Sequence, residues 1–202
     1  MIPPGMPGYQ ADLGKDIDFN PSQAKQLLAQ AGFSDPAQFP QLHFRYATTS
    51  ANQSRAEFVQ AQLKQNLGIQ IDLDSMEPKA YQAAAKAKDY DLGYGGWGAD
   101  YPDPQDWLSG LFTCGAGNNL YNYCNPQFDQ AAQRGDTQTD QNARLQAYAQ
   151  AQQVLGQDVP VAPLFFRGRM VLVKPWVQNL VITAKDEYLG LTFLNQVSVA
   201  RH

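Results

Sequence analysis

With 202 residues, 44% hydrophobic and 17% charged, the chain has the composition of an ordinary globular protein and can bury a full core. A net charge of -4, with basic residues scattered except for Arg167 and Arg169, argues against a nucleic-acid or other polyanionic partner. No run approaches the roughly 20 apolar residues of a membrane helix.

Residues 1–19 are rich in Pro and Gly (PPGMPGY) and read as a loop laid over a surface. Asn20 is an N-cap with Pro21 in the first helical position, and the helix runs to Gly32. Leu42, Phe44 and Tyr46 alternate with polar neighbours, which predicts a strand over 42–48. Ala56, Val59, Leu63 and Leu67 recur at helical spacing, so a helix is expected over 51–67, ended by Gly68. Residues 69–75 alternate again as a strand, 78–88 form an Ala- and Lys-rich helix, and 90–97 form a short strand running out into glycines. Strands alternating with helices predict an α/β layer with a mainly parallel sheet.

Beyond it, DYPDPQDW (100–107) is a Pro-rich turn leading into a short helix, and Asn125 with Pro126 opens another. A long helix over 140–156 carries Leu145, Tyr148 and Leu155 on one side. Residues 161–182 read as strands, and the last twenty are weakly patterned.

Cys114 and Cys124 are the only cysteines, set in a loop-like Gly- and Asn-rich segment. The histidines, His43 and His202, are too distant in sequence to complete a metal site. A disulfide across such a loop contributes about 2.5–3 kcal/mol by chain entropy; two separate buried thiols are the alternative. A disulfide belongs to an oxidising compartment. Met1-Ile-Pro-Pro-Gly has neither a charged n-region nor an apolar h-region. The two features together lead us to expect a piece of a longer, exported chain.

Gly93-Tyr-Gly-Gly-Trp-Gly98 matches a dinucleotide-binding glycine pattern, but Asp100 would repel phosphate and Pro102 and Pro104 oppose a helix continuing from Gly98. Asp100, Asp103 and Asp106 are spaced by three; Asp103 and Asp106 are expected to cap the helix starting near Gln105. Asp100 differs, because it follows a strand end made of glycines and aromatics where another backbone can approach closely. Tyr94, Trp97, Tyr101, Trp107, Tyr121 and Tyr123 crowd this third of the chain and are expected to line a pocket with polar tips. No nucleophile motif accompanies them.

In order and content, PPGMPGY, NPSQAKQLLAQAGF, EFVQAQLKQNLGIQIDLDSME, YDLGYGGWGADYPDP and YNYCNPQFDQAA resemble the C-terminal lobe of oligopeptide- and dipeptide-binding proteins of ABC importers, the bacterial extracellular solute-binding proteins of family 5. The resemblance spans the whole chain and is most specific at GW-x-AD-Y-x-DP. It implies an α/β lobe of the type II periplasmic-binding-protein kind, with a mixed, mainly parallel sheet flanked by helices. It divides the chain into a ligand-binding lobe over 1–175 and a tail over 176–202 that returns to an N-terminal lobe. It further implies capture of a peptide or similar small solute for delivery to ABC permease subunits, without catalysis or cofactor. The setting would be periplasmic or extracytoplasmic, with membrane anchoring through an N-terminal lipoprotein segment.

In such proteins the aspartate of the motif binds the peptide's α-amino group, a role that falls here to Asp100. Gly95, Gly96, Trp97 and Gly98 then lie along the ligand main chain, with Tyr94 and Tyr101 flanking it. Some members carry an arginine three residues before the tryptophan that meets a peptide carboxylate. Tyr94 stands there in this chain, so ligand length stays open. Related members take nickel complexes, opines, oligosaccharides or antibiotics, so the family does not fix the ligand. Two readings from other classes remain: a small hydrolase using the carboxylates near 100–106, and a ligand-free interaction module.

Overall fold

The computed structural model describes residues 1–14, 18–168, 170–182 and 191–201. Residues 15–17, Arg169, residues 183–190 and His202 lie outside them, so the part of the expected amino-terminal loop over 15–17 and of the expected tail over 183–190 and 202 is outside the described residues.

Three parallel strands form the first unit, in the order β2-β1-β3: β1 (Leu42–Ala47), β2 (Ile71–Met76) and β3 (Leu92–Gly93). Helices α2 (Ser50–Leu67) and α3 (Pro78–Ala87) make the crossovers, and α1 (Pro21–Gln30) packs on α2. Local chemistry sets each start. Asn20 accepts from the Gln23 N–H ahead of Pro21, Thr49 from Asn52, and Glu77 from Lys79 and Ala80 ahead of Pro78. Gly68 ends α2 in a left-handed conformation. The alternation along β1 buries Phe44 and Tyr46 with Ile69, Ile71 and Ala56, and Val59, Leu63 and Leu67 of α2 pack around them. The expected faces of strand and helix are the observed ones.

The second unit is helical: α4 (Pro104–Trp107), α5 (Ser109–Phe112), α6 (Pro126–Thr137) and α7 (Gln141–Asp158). Its core is Leu108, Leu111, Phe112, Phe128, Tyr148, Ala151 and Leu155. The amino-terminal arm belongs to this core through Ile2, and the Gly8 carbonyl accepts from Gln152 Nε2 at 3.0 Å. Gly8 holds a positive φ of 79°, and a Cβ there would sit 2.9 Å from the ring of Pro104, so only glycine fits.

Two expectations fail. Only Leu92–Gly93 of the 90–97 strand is laddered to β1, because after the Tyr94 N–H bond to the Arg45 carbonyl the glycine-rich stretch leaves the sheet. In 161–182, only Val177–Gln178 (β4) forms a strand among the described residues, paired antiparallel with Ser198–Val199 (β5). Apolar alternation makes a strand only where a partner completes the ladder. Here Leu164, Phe165, Phe166, Met170 and Leu172 remain exposed. No helix among the described residues is long and apolar enough to cross a membrane.

Candidate functional site

The segment from Tyr94 to Asp100 leaves the sheet edge and crosses to the helical unit. Tyr94 is still tied to the sheet: its N–H donates to the Arg45 carbonyl at 3.0 Å, and its carbonyl accepts from the Tyr81 hydroxyl at 2.7 Å. Burial, then the neighbouring Tyr90 and Tyr121, push the Tyr81 hydroxyl up to about 12, so it stays a donor. The Tyr94 ring packs on the sheet core, whereas Trp97 and Ala99 pack on the helical core.

Between these attachments the chain is open. A Cβ on Gly95 or Gly98 would meet nothing within 4 Å, and on Gly96 only Arg167 Nη2 at 3.5 Å. Among the described residues, no backbone hydrogen bond is made from Gly95 through Gly98. A glycine-rich edge with unpaired N–H and C=O groups is a template for an added strand.

The three aspartates have separate tasks. Asp100 is exposed, and no described residue hydrogen-bonds or ion-pairs with its carboxylate. Asp103 caps α4 by accepting from the Gln105 N–H at 2.9 Å, and its two oxygens take Arg144 Nη1 and Nη2 at 2.8 and 2.6 Å. Burial alone would raise its pKa. The Arg144 fork and the Gln105 N–H outweigh that and hold it below the usual carboxylate range.

Asp106 does not cap the helix as expected. It sits inside the first turn of α4, only 3% exposed, and its Oδ2 accepts from Trp97 Nε1 at 3.1 Å and the Asp100 N–H at 3.0 Å. One buried carboxylate therefore fixes both the motif tryptophan and the backbone that presents Asp100. The signal for it in the sequence is an aspartate between Pro104 and Trp107, on the side of the turn that faces the core.

Tyr101 is exposed, with its hydroxyl bonded to Gln105 Oε1. Burial, followed by the negative charge of Asp106, Asp103 and Asp100, raises its pKa. Trp107 is buried in the helical core, and Tyr121 and Tyr123 pack with Phe112 at ring separations of 4.9 and 6.3 Å. Trp107 thus lies within the helical core, and Tyr121 and Tyr123, partly buried, pack against it.

Cys114 and Cys124 form a disulfide with Cα atoms 4.5 Å apart. The loop they close is filled by buried Asn119, whose Nδ2 donates to the Thr113 and Tyr123 carbonyls at 3.0 and 2.7 Å. Asp129 lies beside the two sulfurs, but both are consumed in the bridge, and Asp129 Oδ1 accepts from the Cys114 N–H at 3.1 Å. That cluster is structural.

Residues 1–119, more than half of the chain, match the model for the middle region of the bacterial extracellular solute-binding proteins, family 5. The chain belongs to this family. Among family 5 relatives, the oligopeptide-binding protein OppA of Bacillus subtilis is 30% identical over 183 residues, covering 88% of this chain and 33% of that protein. The periplasmic OppA of Salmonella typhimurium is 31% identical over 182 residues, covering 89% and 32%. The chain thus spans about a third of the length of these relatives. The Haemophilus influenzae OppA structure, a complex with the peptide RPPGFSPFR, superposes with a TM-score of 0.80 at 26% identity, covering 98% of this chain and 39% of that one. The Escherichia coli murein tripeptide-binding protein MppA, at 24% identity and a TM-score of 0.82, shares the fold over 99% of this chain and 39% of its own. The expected α/β lobe, with its parallel sheet flanked by helices, is the observed one.

Proposed function

We propose that this chain is the ligand-gripping lobe of a two-lobed solute-binding component of an ABC importer, and that it captures peptides in extended form. Asp100 receives the ligand's α-amino group, and Gly95, Gly96, Trp97 and Gly98 run along its main chain, with Tyr94 and Tyr101 at the margins. One observation carries the reading: an unpartnered, exposed carboxylate stands at the end of a glycine edge whose backbone groups are unpaired among the described residues. An ammonium group shut between two lobes needs a counter-ion, or its burial costs several kcal/mol.

The lobe occupies residues 1–175. The tail, 176–202, returns to the other lobe, which also covers the exposed apolar side chains from Leu164 to Leu172. Delivery is to permease subunits on the extracytoplasmic face of a membrane, the complete protein being anchored there through an N-terminal lipid; the Cys114–Cys124 disulfide suits that compartment. The protein transfers its ligand unchanged. Carboxylate-pair hydrolysis lacks a second free acid, since Asp103 is engaged by Arg144 and Asp106 by Trp97.

If a closed clamp holds its ligand near micromolar, about -8 kcal/mol, an equal share leaves this lobe near millimolar. The test is titration of the chain with a pool of short peptides at millimolar concentration, followed by the same pool N-acetylated. Acetylation is expected to abolish binding. Undiminished binding after acetylation would remove Asp100 from its role.

A further inference from the structure

Strand β1 is bonded to the β3 segment as far as the Tyr94 N–H, which donates to the Arg45 carbonyl at 3.0 Å. Bonds in a parallel ladder are evenly spaced. The next two would run from the Ala47 N–H to the Tyr94 carbonyl and from the Gly96 N–H to the Ala47 carbonyl. Both acceptors are engaged by side chains instead. The Tyr81 hydroxyl, on α3, donates to the Tyr94 carbonyl at 2.7 Å. Asn52 Nδ2, in the first turn of α2, donates to the Ala47 carbonyl at 2.8 Å.

Each of these side chains is itself held in place. A Cβ on Gly93 would lie 3.2 Å from the Tyr81 oxygen and 3.2 Å from the Tyr90 ring, so bare backbone there lets the hydroxyl reach across the strand. The Tyr90 ring is pinned through its hydroxyl, which donates to the Leu120 carbonyl. Asn52 Oδ1 accepts from Arg55 Nη1 at 3.0 Å, and the Asn52 N–H donates to Thr49 Oγ1 at 3.1 Å. The two crossover helices thus each send one side chain to the point where β1 and the β3 segment part. Beyond that point no backbone hydrogen bond is made from Gly95 through Gly98 among the described residues.

We propose that Tyr81 and Asn52 are positioning residues that end the ladder at Tyr94 and so keep the backbone groups of Gly95–Gly98 open for the ligand. The proposal rests on the peptide reading above and adds a place to it: the ligand main chain enters the parting between Ala47 and Gly96, in the position that the sheet gives up. Each ladder bond the ligand had to displace there would weaken its binding about two- to tenfold.

Hydrogen exchange at the assigned backbone amides tests the stop without any ligand. The variants are Tyr81→Phe, which keeps the ring, Asn52→Ala, and the two combined. In the double variant the ladder is expected to advance and exchange at the Gly96 N–H to slow about tenfold, with less slowing in each single variant. A merely structural loss would speed exchange there. Titration of the same proteins with tetra-alanine is expected to show about tenfold weaker binding to the double variant. Exchange at Gly96 that is unchanged or faster in the double variant overturns the proposal, and tetra-alanine binding by the unaltered chain then leaves the peptide reading standing. Should the double variant not fold, absence of slowing in both single variants has the same force. Slowed exchange with unchanged affinity also overturns it, because the parting would not then be the ligand's place. If the unaltered chain takes no tetra-alanine at millimolar concentration, the peptide reading falls and this inference with it.

Discussion

Replacing Asp106 by alanine removes the single acceptor shared by the Trp97 indole at 3.1 Å and the Asp100 N–H at 3.0 Å. Hydrogen bonds to a buried charged group contribute about 1.5–3 kcal/mol each. Losing two at the low end costs about 3 kcal/mol, a sizeable part of the 5–15 kcal/mol that typically holds a domain together. Part of the loss appears as local freedom of residues 97–100, which the ligand must then re-order at about 1–2 kcal/mol per residue. We therefore expect Asp106→Ala to lower the urea midpoint and to weaken peptide binding by roughly tenfold or more. Asp106→Asn keeps an acceptor oxygen and should lose about a third as much, near 1 kcal/mol. The assays are urea unfolding and peptide titration, with the Trp97 indole N–H signal as local reporter. An unshifted indole signal and unchanged affinity in Asp106→Ala would refute the claim that this carboxylate positions the motif.

Gly95→Val adds a side chain into open space, so stability should stay within about 0.5 kcal/mol while peptide affinity falls, as thermal melts and titration would show. Gly135→Ala places a Cβ 2.6–2.8 Å from the buried Tyr148 ring, and a thermal melt should report a loss of about 2–3 kcal/mol. Because the folded pKa of Asp103 is depressed, its contribution is present above the unfolded carboxylate value near 4 and is lost as pH falls through the folded value. Stability measured from pH 5 down to pH 2 should therefore decline, and Asp103→Asn should flatten that decline while lowering the plateau above it.

What could be read directly from the sequence was local. Asn20-Pro21 and Asn125-Pro126 announce helix starts because cap and first turn are neighbours in the chain. The alternation in β1 and β2 names the buried face because a pleat has period two. The exposed position of Asp100 was legible for the same reason, since it stands just past a run of glycines. Asp106 was not, since its partners lie six and nine positions earlier and are reached only by a turn in space. Residues 161–182 carry strand-like apolar alternation, but pattern cannot supply a neighbouring strand. Trp107, Tyr121 and Tyr123 resemble pocket aromatics in composition, and only packing reveals that Trp107 lies in the helical core and the two tyrosines pack against it.

The segment from Tyr94 to Asp100 is anchored at one end in the sheet and at the other in the helical bundle, so it works as a tie rod between two separately packed bodies. Its span is a mechanical quantity set by both interiors. Shrinking Ile71 on one side or Phe112 on the other would alter the distance between its two anchorages without changing any residue of the segment itself.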